Sequence, residues 1–144
     1  MAYCTASDLT ERLSNDELIQ LTDDVSAGVP DQGIISAAIA AAQDTIDGYL
    51  RGRYPVPLVS VPGIIKNLAL DLTLYNLFRR RGQLQANESR ELLYKQAVGQ
   101  LKDIAAGIIL LQTADKQPLP ARPLPQCNKR PSDRIFTRKR LEGF

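Results

Sequence analysis

The chain has 144 residues, 44% of them apolar and 24% charged, which suits a single globular domain with a real core. It contains no histidine, so the commonest general base and the commonest transition-metal ligand are both missing, and no apolar run approaches the length of a membrane span. The net charge of +2 is uneven: residues 115–144 hold eight basic side chains against three acidic ones, a surplus of +5, which leaves 1–114 at −3.

The start, Met1-Ala2-Tyr3-Cys4-Thr5, has neither a basic nor a hydrophobic stretch, so no secretory signal is expected. Cys4 and Cys127 accordingly read as reduced cytosolic thiols rather than a bridge. Thr5-Ala6-Ser7-Asp8 has the spacing of a capping box, and Leu9 and Leu13 follow at i, i+4, which predicts a short helix over 6–13. Asn15 is the expected cap of a second short helix running to Leu21. Thr22 to Gly33 reads as a polar loop. Its Asp23, Asp24 and Asp31 lack the spacing of a calcium loop, so capping and solubility explain them better.

Asp31 or a neighbour opens the first long helix. Ile34, Ala38, Ala42 and Ile46 form an i, i+4 row that Ile35, Ile39, Tyr49 and Leu50 widen into a stripe. Small alanines at 37, 38, 40, 41 and 42 allow a second helix to approach closely. This helix is expected to end near Gly52. Pro55 and Pro57 then fix φ and remove backbone donors, which makes Asp47 to Leu58 the end of one helix and a defined elbow. Pro62 suits the first turn of the next helix.

That helix is apolar on two sides. Ile64, Ile65, Leu68, Leu72 and Tyr75 make one face, and Leu70, Leu74, Leu77 and Phe78 another. The face of Leu70, Leu74 and Leu77 is a candidate subunit interface, or it meets the short N-terminal helices; the sequence leaves both open. Asp71, set among the leucines, is expected in an ion pair with Arg51 or Arg53 rather than as a general acid. Arg79-Arg80-Arg81 meet the negative pole of the helix as solvated charge, and Gly82 suits a left-handed cap. Tyr49, Tyr54 and Tyr75 read as core aromatics with hydroxyls reaching the surface.

Asn87 is the expected cap of the last long helix, in which Leu93, Ala97, Leu101, Ile104, Ala105 and Ile108 keep helical spacing and Glu91 pairs with Lys95. Gly99 and Gly107 weaken it or mark close packing, and the chain should leave it between Leu111 and Ala114. Beyond Lys116, Pro118, Pro120, Pro123, Pro125 and Pro131 favour polyproline-like extension. The fold class is therefore all-α. A small bundle of three long helices plus short N-terminal helices occupies residues 1–114, and an extended, proline-rich, basic arm occupies 115–144.

These residues resemble the Mu-like phage virion family, catalogued as a domain of unknown function and placed at the phage neck. Tyr3 with Thr5-Ala6-Ser7-Asp8-Leu9 is similar to its opening, and Glu17-Leu18-Ile19-Gln20-Leu21-Thr22-Asp23 to its next element. The most specific likeness is Ala38 to Leu58, with Ile46-Asp47-Gly48-Tyr49-Leu50 and Arg53-Tyr54-Pro55-Val56-Pro57-Leu58. Val61-Pro62 and Leu72-Thr73-Leu74-Tyr75 follow the same pattern, and Arg134-Ile135-Phe136 and Gly143-Phe144 look familial as well.

The resemblance implies a helical bundle like the head–tail connector proteins of long-tailed phages. Those proteins form rings, often dodecameric, beneath the portal, and DNA passes through without specific binding. It implies a structural head-completion subunit whose partners are itself, the portal protein and the next neck or tail component. Its place is the virion neck, and the host cytoplasm during assembly, with no membrane. It carries no catalytic, cofactor-binding or metal-binding residue, and no enzyme activity is expected.

In the arm, Phe136, Leu141 and Phe144 stand among Arg134, Arg138, Lys139 and Arg140, a pattern suited to binding a neighbouring subunit or the portal. A solvated terminus is the plain alternative. A nucleic-acid-binding accessory protein using the same arginines is the competing function.

Overall fold

The spacing Ser/Thr-x-x-Asp/Glu occurs twice near the start of the chain, and both copies open helices. The computed structural model describes residues 2–82, 88–112 and 118–121. In it, α1 spans Ala6–Thr10 and α2 spans Asn15–Thr22. The Thr5 hydroxyl accepts from the Asp8 amide while the Asp8 carboxylate accepts from the Thr5 amide. Ser14 and Glu17 repeat the exchange. The cap of α2 is thus Ser14 rather than Asn15, because only the hydroxyl three residues before Glu17 is in register for both bonds. Helix α1 stops at Thr10, short of residue 13, where Arg12 and Leu13 both bond the Leu9 carbonyl and tighten the turn into Ser14.

Helix α3 spans Gln32–Leu50, capped by Asp31, whose carboxylate accepts from the Gly33 and Ile34 amides. Its buried residues are Ile35, Ala38, Ala42, Ile46 and Leu50, the row read from the sequence. Helix α4 spans Gly63–Arg80 and closes at Gly82, whose φ is +67°. Helix α5 spans Glu88–Ala106; its expected cap Asn87 lies outside the described residues.

Helix α4 is the centre of the bundle. It buries Ile65, Leu68, Ala69, Leu70, Leu72, Thr73, Leu77 and Phe78, and it packs against each of the other four helices. Its pairing with α3 is the most extensive, and α5 lies on those same two helices. Two apolar clusters result. The larger gathers Leu9, Ile46, Leu50, Ile65, Leu72, Leu101 and Ile104; the smaller joins Leu13, Leu18 and Leu21 to Ala38, Leu77 and Phe78. Truncating any one of these leucines to alanine costs about 2–5 kcal/mol.

The elbow after α3 is pinned from two sides, and its Val56–Pro57 peptide is cis. Tyr54 is 1% exposed, and its hydroxyl accepts the Leu111 amide at 3.1 Å. This hydroxyl is buried instead of reaching the surface, because the chain leaving α5 crosses over it. Helix α5 itself ends at Ala106, before the expected 111–114, because Gly107 turns left-handed at φ +82°. A Cβ on Gly107 would run into the Arg53 guanidinium, whereas nothing lies within 4 Å of one on Gly99. Close packing therefore accounts for the first glycine only. Past α5 the chain folds back: Gln112 bridges Pro118 in antiparallel sense, the Leu119 amide bonds the Leu111 carbonyl at 2.9 Å, and Leu119 packs on the larger cluster.

Candidate functional site

Leu70 and Leu77 are 4% and 0% exposed, so both are spent inside the chain. Leu77 packs in the cluster with Leu13, Leu18 and Leu21 of the N-terminal region, and the half-buried Leu74 touches both clusters. Leu70 and Leu77 are therefore not available as an outward contact face, because the second apolar face of α4 turns inward, Leu77 onto α2 and the residues before it; Leu74 alone keeps part of its surface. The candidate arm residues Arg134, Phe136, Arg138, Lys139, Arg140, Leu141 and Phe144 lie outside the described residues.

The charged residues singled out from the sequence are largely committed to internal ties. Arg80 and Arg81 both pair with Asp24, and Arg81 donates to the Asp23 carbonyl at 2.5 Å. Both guanidinium groups also reach the Leu21 carbonyl. These arginines therefore grip the 23–31 loop and are not free, solvated charge. Asp23 organises the same loop by accepting the Val25, Ala27 and Gly28 amides, and those bonds hold its carboxyl below the usual range. The loop presents Val25 at 84% exposure and bends through Ser26 at φ +60°.

Asp71 pairs with Arg12 at 2.6 Å, not with Arg51 or Arg53, because its side of α4 faces the chain between α1 and α2. Burial pushes its carboxyl up against the opposing pull of Arg12. Lys66 pairs with Asp8 at 2.7 Å; that bond and the Thr5 cap hold the Asp8 carboxyl down at about 2. Arg90 lays its guanidinium 3.5 Å from the centre of the Phe78 ring, closing the smaller cluster from the α5 side. Tyr75 of α4 and Tyr94 of α5 stack with ring centres 4.0 Å apart.

Among the described residues no three histidine, cysteine, aspartate or glutamate side chains converge to hold a metal ion. No helix among them is long and apolar enough to cross a membrane. What the surface offers is shape and apolar area. Leu92 and Leu93 on α5 are 57% and 49% exposed, and Ile108 and Leu110 beyond it are exposed as well. A trough of about 330 Å³ runs between the N-terminal segment, at Ala2, Cys4 and Ala6, and α3, at Ile35, Ile39 and Ala40. It is mostly apolar and open along one side, and its lining carries no charged side chain. Cys4 on its wall is a free thiol, pushed up by burial, with Sγ 3.7 Å from Thr73 Oγ1. The trough forms between two segments about thirty residues apart, so no local sequence signal marks it.

The model of the family described as Bacteriophage Mu, Gp36 matches residues 3–126. The chain belongs to that family. "Gene product J" of Escherichia phage Mu is 32% identical over 108 residues, covering 74% of each chain. "Mu-like prophage FluMu protein gp36" of Haemophilus influenzae is 29% identical over 113 residues, covering 78% of this chain and 77% of the relative. The family match takes in all five helices, the elbow and the fold-back at Leu119, and it ends ahead of Arg134. In this member of the Mu Gp36 family, then, the match covers the bundle and the arm as far as residue 126, and the candidate arm residues from Arg134 to Phe144 lie beyond it.

Proposed function

We propose that this chain is a structural subunit of the phage neck, a head–tail connector or head-completion protein that assembles as a ring on the portal and acts by docking rather than by turnover. The observation that carries this reading is the family match across 3–126, taken with what the sequence resemblance to the Mu-like phage virion family implies, a bundle like the head–tail connector proteins. The chemistry of the surface supports it. Several of the charges that stood out in the sequence, Asp71, Arg80 and Arg81 among them, are spent on internal ties, and the exposed Leu92, Leu93, Ile108 and Leu110 give apolar area of the kind subunit contacts use.

The test is imaging of purified particles with this protein labelled near its N-terminus, together with the mass of its complex with the portal protein. Label at the head–tail junction and a multimeric complex are expected. Virions without the polypeptide, or a purified protein that turns over a substrate, overturn the proposal.

Nucleic-acid binding is the second reading, and the +5 carried by residues 115–144 is what favours it. Tight, salt-sensitive retardation of duplex DNA in a gel would promote it over docking; unretarded DNA at low salt would remove it.

A further inference from the structure

The loop between α2 and α3 is built to keep its shape while holding apolar residues in water. Its base is closed by the buried Thr22 hydroxyl, which accepts the Asp31 amide at 3.1 Å. Asp23 accepts three amides within it, and Arg80 and Arg81 grip Asp24 from the end of α4. These ties go to backbone or to Asp24 and leave the side chains of Val25 and Val29 84% and 60% exposed. From Val25 to Pro30 the loop has no charged side chain, in a chain that is 24% charged.

The trough between the N-terminal segment and α3 is likewise lined without a charge. Whatever covers it must bring apolar surface and no ion, because a charge enclosed there would lose its hydration and find no partner. That requirement sorts the exposed apolar residues. Leu92 and Leu93 come with Arg90, Glu91 and Lys95 alongside. Ile108 follows the glycine that lies against the Arg53 guanidinium, and Val59 is a single residue next to the buried Leu58. The loop tip meets the requirement with two valines four residues apart on a preformed support.

We infer that the trough of one copy of this chain receives the Val25–Val29 tip of a second copy. The inference rests on the reading that copies of this chain associate, and deepens it by naming the surface through which one subunit holds the next. Ile35, Ile39 and Ala6 take up the valines, and the side-chain amides of Gln32 and Gln43 stand in the lining to bond the incoming loop backbone. A hollow of about 330 Å³ suits small branched side chains rather than a whole helix, whose diameter is about 10 Å. The loop is held away from its own trough. Arg80 and Arg81 fasten it to the ends of α2 and α4, whereas the trough opens between α3 and the segment leading into α1. Tip and trough are different patches, so each copy gives its tip to one neighbour and its trough to another. Such a head-to-tail contact closes into a ring when the rotation between copies permits.

Disulfide trapping of the full chain tests this, in a Cys127→Ser background with Cys4 left buried in the fold. Val25→Cys marks the tip, Ala40→Cys the rim of the trough, and Gln100→Cys an exposed control on α5. Mixed at high concentration under mild oxidation, tip and rim variants should form a linked heterodimer several-fold faster than tip and control. A chain carrying both Val25→Cys and Ala40→Cys should give a ladder of multimers. Adding Val29→Asp, which brings a charge to the uncharged trough, should remove the excess. Linkage of tip to rim no faster than to the control, or an excess that Val29→Asp leaves intact, overturns the contact. A doubly substituted chain that bridges within itself overturns the second copy as occupant, and one that stops at dimers overturns the head-to-tail order. Because free protein is used, virions without the polypeptide would sink the neck assignment and leave the trapped contact standing, and failed trapping would do the reverse.

Discussion

The Tyr3 phenol donates to the Asp47 carboxylate and accepts the Leu58 amide at 3.0 Å, so one N-terminal side chain joins the last turn of α3 to the far end of the elbow. Burial, with Asp47 alongside, pushes this phenol up to about 12. Because the folded value lies above the unfolded one, the stability it contributes is complete below pH 10 and is lost as pH rises toward 12. Tyr3→Phe leaves the Leu58 amide buried without an acceptor and should cost about 1–3 kcal/mol at neutral pH. Urea melts across the alkaline range should also show a shallower pH dependence in the variant.

Asp8 works in the opposite direction. Its carboxyl sits at about 2 in the fold against 3.8 ordinarily, so its contribution is complete above pH 4 and disappears as pH falls to 2. Asp71, raised by burial, has the reverse sign and gains as it protonates. Asp8→Asn should therefore flatten the acid limb of a stability–pH curve, and Asp71→Asn should steepen it. An acid limb unchanged in Asp8→Asn would show that its bonds to Lys66 and Thr5 contribute nothing.

Gly99 inside α5 and Gly107 just past its end give a contrasting pair. Gly107→Ala puts a side chain at positive φ and against Arg53, and should cost about 1–2 kcal/mol or more. Gly99→Ala meets open space in a helix interior and should stabilise by about 0.5–1 kcal/mol. Thermal melts of the two variants decide the matter by sign alone.

Arg81 ties the 23–31 loop to the end of α4 through Asp24 and two backbone carbonyls. Arg81→Ala should cost about 1–2 kcal/mol, and amide exchange should quicken between residues 23 and 31 while the α3–α4 interface keeps its protection. Uniformly faster exchange throughout the bundle would contradict a local clamp.

Truncation should be sensitive to where the chain is cut. Ending after Ala121 keeps Leu119 on the core and its amide on Leu111, so the bundle should melt as the full chain does. Ending at Asp115 removes both and should lower the melting temperature, seen by far-UV circular dichroism.

Local signals in the sequence were sufficient for what local chemistry determines. The two capping spacings, the α3 stripe, the two-sided apolarity of α4 and the Gly82 cap all follow from spacing within a few residues. The ties that close the body are of another kind. Arg80 meets Asp24 across 56 positions, and the Tyr54 hydroxyl meets Leu111 across 57. No periodicity signals a long arginine turning toward a loop, or a phenol taking a distant backbone amide. The Asp71 partner is illegible in the sequence for the same reason: Arg12, Arg51 and Arg53 are equivalent on paper, and only the packing of α1 on α4 singles out Arg12.

The Tyr54–Leu111–Leu119 chain of contacts also defines how the body would carry mechanical load. Tension applied to the C-terminal segment passes through one backbone hydrogen bond at Leu111 and one phenol into the root of α3, before α5 begins to unwind. A pull on that end reaches α3, which shares its most extensive interface with α4, so the segment leading out is anchored to the central helix pair of the bundle.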